Sequence, residues 1–157
     1  MPTDPSADPS VDSTAGEPRV SLRRVMVATP RQVFDAWTDA AGMGAWLRAP
    51  TMPPSACALD VRVGGALRIV LYAPDGQGYE AKGEYRVVDA PRALAFTWLS
   101  EGSEHRETIV TLEFTPRAVG TEVHLTHDGL PDARSVEEHT EGWADILGQF
   151  AALLESR

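Results

Sequence analysis

Asparagine is missing from this chain, and lysine and cysteine occur once each, at Lys82 and Cys57. A single cysteine excludes an internal disulfide and a cysteine-based zinc site, and it fits a reducing cytoplasm. No apolar run is long enough to span a bilayer, so membrane insertion is not expected. The first 18 residues have neither a basic start nor an apolar core, which excludes a signal peptide. Positive charge is scarce: 14 basic residues stand against 23 acidic ones, for a net charge of −9, and no basic patch is visible. Nucleic acid and anionic membrane surfaces are therefore not expected partners. The near-exclusive use of arginine among the cations fits a GC-rich bacterial genome. Catalytic signatures are missing as well, with no Gly-x-Ser-x-Gly elbow, phosphate-binding loop, dinucleotide fingerprint or His-Glu-x-x-His pair. His124 and His127 lie three apart on an expected strand, so they face opposite sides and cannot grip one metal. Neither a metal nor another cofactor is expected.

What is present is a chain of 157 residues, enough for one domain with a sizeable core, and an ordinary apolar content of 43%. Residues 1–18 hold Asp4, Asp8, Asp12 and Glu17 among Pro, Ser, Thr and Ala, with almost nothing to bury. They read as a disordered acidic tail ahead of one domain spanning 19–157.

Residues 20–28 read as a strand. TPRQVFDAW then starts a helix, with Thr29 as cap, Pro30 at the first helical position and Gln32 closing a capping box. A second short helix follows Asp39, carrying Met43, Trp46 and Leu47 on one side. Alternation then marks strands at 57–63, 66–72, 79–88, 94–98, 107–115 and 121–127. In the third of these, Tyr79, Ala81, Gly83, Tyr85 and Val87 share the apolar face against Glu80, Lys82, Glu84 and Arg86. Charged and apolar faces alternate throughout, as in an antiparallel sheet with one wet side. Asp60 and Arg62 share an outer face, where an ion pair contributes little. A final helix, capped by Ser135 with Glu138, repeats Trp143, Ile146, Leu147, Phe150, Leu153 and Leu154 at helical spacing.

This order predicts an α+β chain of the helix-grip type: a curved antiparallel sheet wrapped around one long C-terminal helix, with two short helices after the first strand. Four short patterns recur in that order: Ala28-Thr29-Pro30 leading to Val33 and Phe34; Thr38-Asp39 followed by Trp46; Asp60, Arg62, Gly64 and Gly65; and Gly83-Glu84-Tyr85 with Pro91 and Trp98. His139, Gly142, Trp143 and Leu147 close the series. With these residues the chain resembles the START-like, or SRPBCC, superfamily over about residues 20–155. More narrowly it is similar to the C-terminal domain of the activators of the heat-shock-protein-90 ATPase.

The resemblance implies a small cytoplasmic protein that holds a hydrophobic or amphipathic molecule between the long helix and the sheet. The residues expected inside are Trp37, Met43 and Trp46 from the short helices, and Ile69, Leu71, Tyr79, Tyr85, Phe96, Trp98, Val110 and Leu112 from the strands. His127, His139, Trp143 and Leu147 complete the set. Each is either pocket lining or filled core. The wider superfamily also contains polyketide cyclases and aromatases, and an enzyme of that kind would have only His127, His139, Tyr79 and Tyr85 to move protons. A chaperone-activator role is a third reading. The eukaryotic activators carry an additional N-terminal domain that this chain lacks, so that activity is not carried over. Oligomeric state and protein partners are not legible.

Gly142 raises a separate question. Glycine inside a helix costs roughly 1 kcal/mol relative to alanine. Its place before Trp143 predicts a close approach of backbone or ligand, the alternative being an irregularity on a solvent face.

Overall fold

The computed structural model describes residues 19–48 and 50–156. The expected tail, 1–18, lies outside the described residues. β1 (Arg19–Met26) leads into α1 (Pro30–Trp37) and α2 (Ala40–Trp46). β2 (Ala56–Leu59), β3 (Ala66–Tyr72), β4 (Gly78–Asp89) and β5 (Ala93–Ser100) follow. A 3-10 turn (Glu101–Ser103), β6 (Thr108–Arg117), β7 (Gly120–Asp128) and α3 (Ala133–Glu155) complete the chain.

All strands belong to one seven-stranded sheet in the order β1-β7-β6-β5-β4-β3-β2, and every neighbouring pair is antiparallel. β2 to β7 thus form a meander, and the first strand returns to pair with the last. The curved sheet grips α3, whose buried stripe of Trp143, Ile146, Leu147, Phe150, Ala151 and Leu154 faces the strands. This is the helix-grip fold. Among the described residues no helix is long and apolar enough to cross a membrane.

Local chemistry accounts for the helix starts. Gln32 N–H donates to Thr29 Oγ1 (3.1 Å) and Thr29 N–H donates back to Gln32 Oε1 (2.9 Å), a complete capping box. Asp39 occupies the cap position of α2 but makes no side-chain capping bond. α3 starts earlier than the Ser135 cap expected from sequence. Asp132 is the cap, accepting from Ser135 N–H at 2.8 Å, and Ser135 is buried inside the first turn.

Two strand expectations need correction. The expected strand 57–63 stops at Leu59, because residues 60–65 fold into a tight turn. Arg62 N–H donates to Asp60 O and Gly65 N–H to Arg62 O, and Gly64 sits at φ +85°, where a side chain is strained. Val63, within the expected strand, is consequently 65% exposed. In β4, Val87 does not follow Tyr85 inward. Tyr85 pairs with Phe96 but Val87 pairs with Ala95, so Arg86 is an extra residue and the register shifts. Beyond this bulge the faces exchange: Val87 is 41% exposed and Val88 packs against the core.

Candidate functional site

The packing of α3 on the sheet is uneven along its length. At one end, α1 and α2 close the gap: Trp37 and Trp46 lie 4.8 Å apart between ring centroids, and Trp46 and Phe150 lie 4.3 Å apart. At the other end no helix closes it among the described residues. A cavity of about 450 Å³ opens there between the N-terminal half of α3, the outer halves of β3 and β4, the end of β5 and the 3-10 turn. That volume lies within the usual range for small-molecule sites, which are mostly apolar with a few polar groups.

The walls are Leu71, Ala81, Trp98, Trp143 and Ile146. Two small residues keep the space open. Ala81 is a short side chain among aromatic neighbours on the inward face of β4. Gly142 borders the cavity, and a Cβ built on it has no protein atom within 4 Å. The expected close approach of protein backbone at Gly142 is therefore not present. The close approach is at Gly102 in the 3-10 turn, where a Cβ would lie 3.3 Å from the His139 ring. Ser135 Oγ donates to Gly102 O (3.4 Å), tying the turn to the first turn of α3.

Behind the wall runs a chain of hydrogen bonds whose direction follows from donor counting. The Trp143 indole N–H only donates, so His127 Nδ1 accepts it (3.1 Å). The neutral His127 ring then carries its proton on Nε2 and donates to Thr108 Oγ1 (2.7 Å). Thr108 has one hydroxyl proton, which goes to Trp98 O (2.5 Å). The chain fixes both tryptophans that face the cavity, one through its ring and one through its backbone. Their rings lie 5.3 Å apart at 60°. Burial, and secondarily the nearby His139, push the His127 imidazole down to about 3, in keeping with a ring that is locked neutral.

His139 stands in front of this chain, 5.1 Å from the His127 ring and perpendicular to it. Its Nδ1 donates to Ser135 O (2.8 Å), since a carbonyl only accepts. In the neutral ring Nε2 is then the acceptor, on a side chain that lines the cavity. Tyr79, 37% exposed, and the carboxylates Glu80, Glu101 and Glu138 complete the rim. Glu80 is held below the usual carboxylate range first by its hydrogen bond from Arg68 and then by Lys82. Glu138 faces Arg134 one helical turn away, at 3.9 Å. No arginine or lysine lines the cavity among the described residues.

The sequence-derived set divides by depth. Leu71, Tyr79, Trp98, His139 and Trp143 line the cavity, with His127 directly behind. Ile69, Tyr85, Phe96, Val110, Leu112 and Leu147 are filled core, and Trp37, Met43 and Trp46 belong to the closed end. Burial raises the Tyr85 phenol well above its ordinary range, followed by the neighbouring Cys57 and Asp60, so Tyr85 stays protonated. Sequence reasoning missed Glu80, Ala81, Ser100, Glu101, Gly102, Glu138 and Ile146 as cavity residues. For Ala81 and Ile146 a signal existed, as both fall on faces already read as apolar. For residues 100–102 none did, because tertiary packing alone brings that turn to the helix.

A family model described as "Activator of Hsp90 ATPase homolog 1-like protein" matches residues 27–155. The chain belongs to this family. Solved structures agree on the fold. A Rhodobacter sphaeroides protein is 25% identical with a TM-score of 0.80, the match covering 94% of this chain and 98% of that one. A Chromobacterium violaceum protein is 28% identical, TM-score 0.77, with 87% and 96% covered. An Arthrobacter aurescens protein, 19% identical, superposes with a TM-score of 0.81 over 94% and 92% of the two chains. No curated protein matches the sequence.

Proposed function

We propose that this protein binds a hydrophobic or amphipathic small molecule in the cavity between α3 and the sheet. The observation that carries the reading is the open end of the helix grip. There an apolar space of about 450 Å³ is walled by two tryptophans tied to one hydrogen-bond chain, Trp143 through its indole N–H and Trp98 through its backbone carbonyl. A core that merely fails to fill does not require such a chain behind its lining. The single free cysteine, Cys57, suits a cytoplasmic setting for this role.

The test is thermal stability against a panel of apolar dyes and fused-ring aromatic compounds. Binding to the folded state alone raises the melting temperature with ligand concentration. Gly142→Leu supplies the control. It should raise the melting temperature of the unliganded protein, because glycine is the poorer helix former by about 1 kcal/mol, and it should abolish the ligand response by occupying the cavity edge. A panel without any shift in the wild-type protein would overturn the binding reading.

A catalytic reading of the cyclase type has one observation in its favour. His139 combines a fixed Nδ1–H with an acceptor Nε2 on the cavity wall, the arrangement a general base needs. No second group is placed with it at hydrogen-bond distance among the described residues.

A further inference from the structure

The rim carries carboxylates and a histidine beside the neutral Tyr79 and Ser100 hydroxyls. Glu101 and Glu138 are carboxylates, His139 presents an acceptor nitrogen in its neutral form, and the described lining holds no cation. Glu80 differs from the other two, because Arg68 and Lys82 both pair with it and offset its charge. Among the described residues Glu138 pairs with the exposed Arg134 alone, at 3.9 Å, a one-turn helix pair of the sort that contributes little. Further in, the Trp98 and Trp143 rings pack on each other, 5.3 Å apart between centroids and tilted by 60°. The whole chain is acidic, at −9, so its long-range field repels anions and concentrates cations.

From this arrangement we infer that the cavity selects an apolar molecule bearing a protonated amine, rather than a carboxylate such as a fatty acid. The inference rests on the binding reading above and specifies its ligand class. The hydrocarbon or aromatic body occupies the space between Leu71, Ala81 and Ile146. The ammonium group lies at the rim, where it donates to His139 Nε2 and to the carboxylates of Glu101 and Glu138. A carboxylate head in the same position meets two like charges and finds no donor except the Tyr79 hydroxyl and the serine and backbone groups of the 3-10 turn.

The experiment uses the full chain and three matched probes: 2-(1-naphthyl)ethylamine, 2-(1-naphthyl)ethanol and 1-naphthylacetate. Affinities are measured by calorimetry at pH 7.5 and low salt. The amine should bind about tenfold more tightly than the carboxylate, the alcohol falling between them. The advantage should shrink at 1 M salt, since rim charges are screened. In the double variant Glu101→Gln, Glu138→Gln the ratio of amine to carboxylate affinity should fall to within about threefold. Equal or tighter binding of the carboxylate, with the alcohol bound, overturns the charge inference and leaves the cavity reading standing. An unchanged ratio in the double variant does the same. Failure of all three probes to bind overturns both.

Discussion

Trp37 and Trp143 are both almost fully buried, yet their indole N–H groups have opposite fates. Trp143 Nε1 donates to His127, whereas Trp37 Nε1 has no partner among the described residues. Replacing each by phenylalanine therefore separates packing from hydrogen bonding. Trp37→Phe loses some contact area but also removes an unsatisfied donor, and the two effects oppose. Trp143→Phe loses similar area and leaves His127 Nδ1 buried without its donor, so it should cost about 1–3 kcal/mol more in urea denaturation. Equal costs would show that the bond to His127 contributes nothing. His127 itself carries a pH signature. Its folded pKa is depressed to about 3 from an unfolded value of about 6.5. Below pH 6.5 the unfolded chain takes up a proton that the folded chain refuses, so the stability this neutral ring confers is present above pH 6.5 and is lost as pH falls towards 3. The full loss is on the order of 4–5 kcal/mol. His127→Gln keeps an acceptor and a donor without titrating, so the stability gap between wild type and variant should narrow steadily from pH 7 to pH 4. A gap that is constant with pH would rule out the neutral assignment. None of this was legible from the residue types. The sequence marks His127 as the end of an inward set, but the partner that fixes its tautomer lies 16 residues further on, on another element.

Within single elements, the readable features were those written in adjacent residues. The Thr29 capping box needs only residues 29–32 and is present as read. The alternation of β4 is equally local, and it places Ala81 and Tyr85 inward and Lys82 and Glu84 outward as found, although Tyr79 is 37% exposed and Glu80 borders the cavity. It fails at Arg86 because a bulge is a property of two strands: the extra residue is defined only against Phe96 and Ala95 on β5. The consequence is measurable. Val87→Lys should change stability by less than about 0.5 kcal/mol, since the side chain faces water. Val88→Lys drives a charge towards the core and should cost at least about 1–3 kcal/mol. The reverse order in thermal or urea unfolding would restore the unbroken alternation and remove the bulge. α3 shows the same division. Its apolar stripe was plain, while its true cap, Asp132, was obscured by a second plausible signal three residues on at Ser135.

At the scale of the whole molecule, the fold was legible because element order and face alternation leave few arrangements for one sheet and one long helix. The cavity was not, because its existence depends on which end of α3 the two short helices cover. They cover the end bearing Phe150, and nine of the expected lining residues are thereby core or closed-end packing rather than cavity wall. Stability and binding should accordingly separate along the helix. Phe150→Ala should destabilise by about 3–5 kcal/mol while leaving the affinity of the folded protein for an apolar probe within about twofold, as measured by calorimetry well below its melting temperature. A parallel loss of affinity would mean that the two ends form one cooperative site.

The sheet order also has a consequence for how this chain comes into being. Among the described residues β1 has no strand partner except β7, and Arg19 meets Asp128 across a separation of 109 residues. During vectorial synthesis β1 leaves the ribosome about a hundred residues ahead of β7 and must wait for it. The β6–β7 hairpin closes over a short turn, whereas docking β1 closes the longest loop in the sheet, and its entropic penalty is met only when both ends are available. Until β7 has emerged, the nascent chain can form the meander only as far as β6 and cannot seat β1.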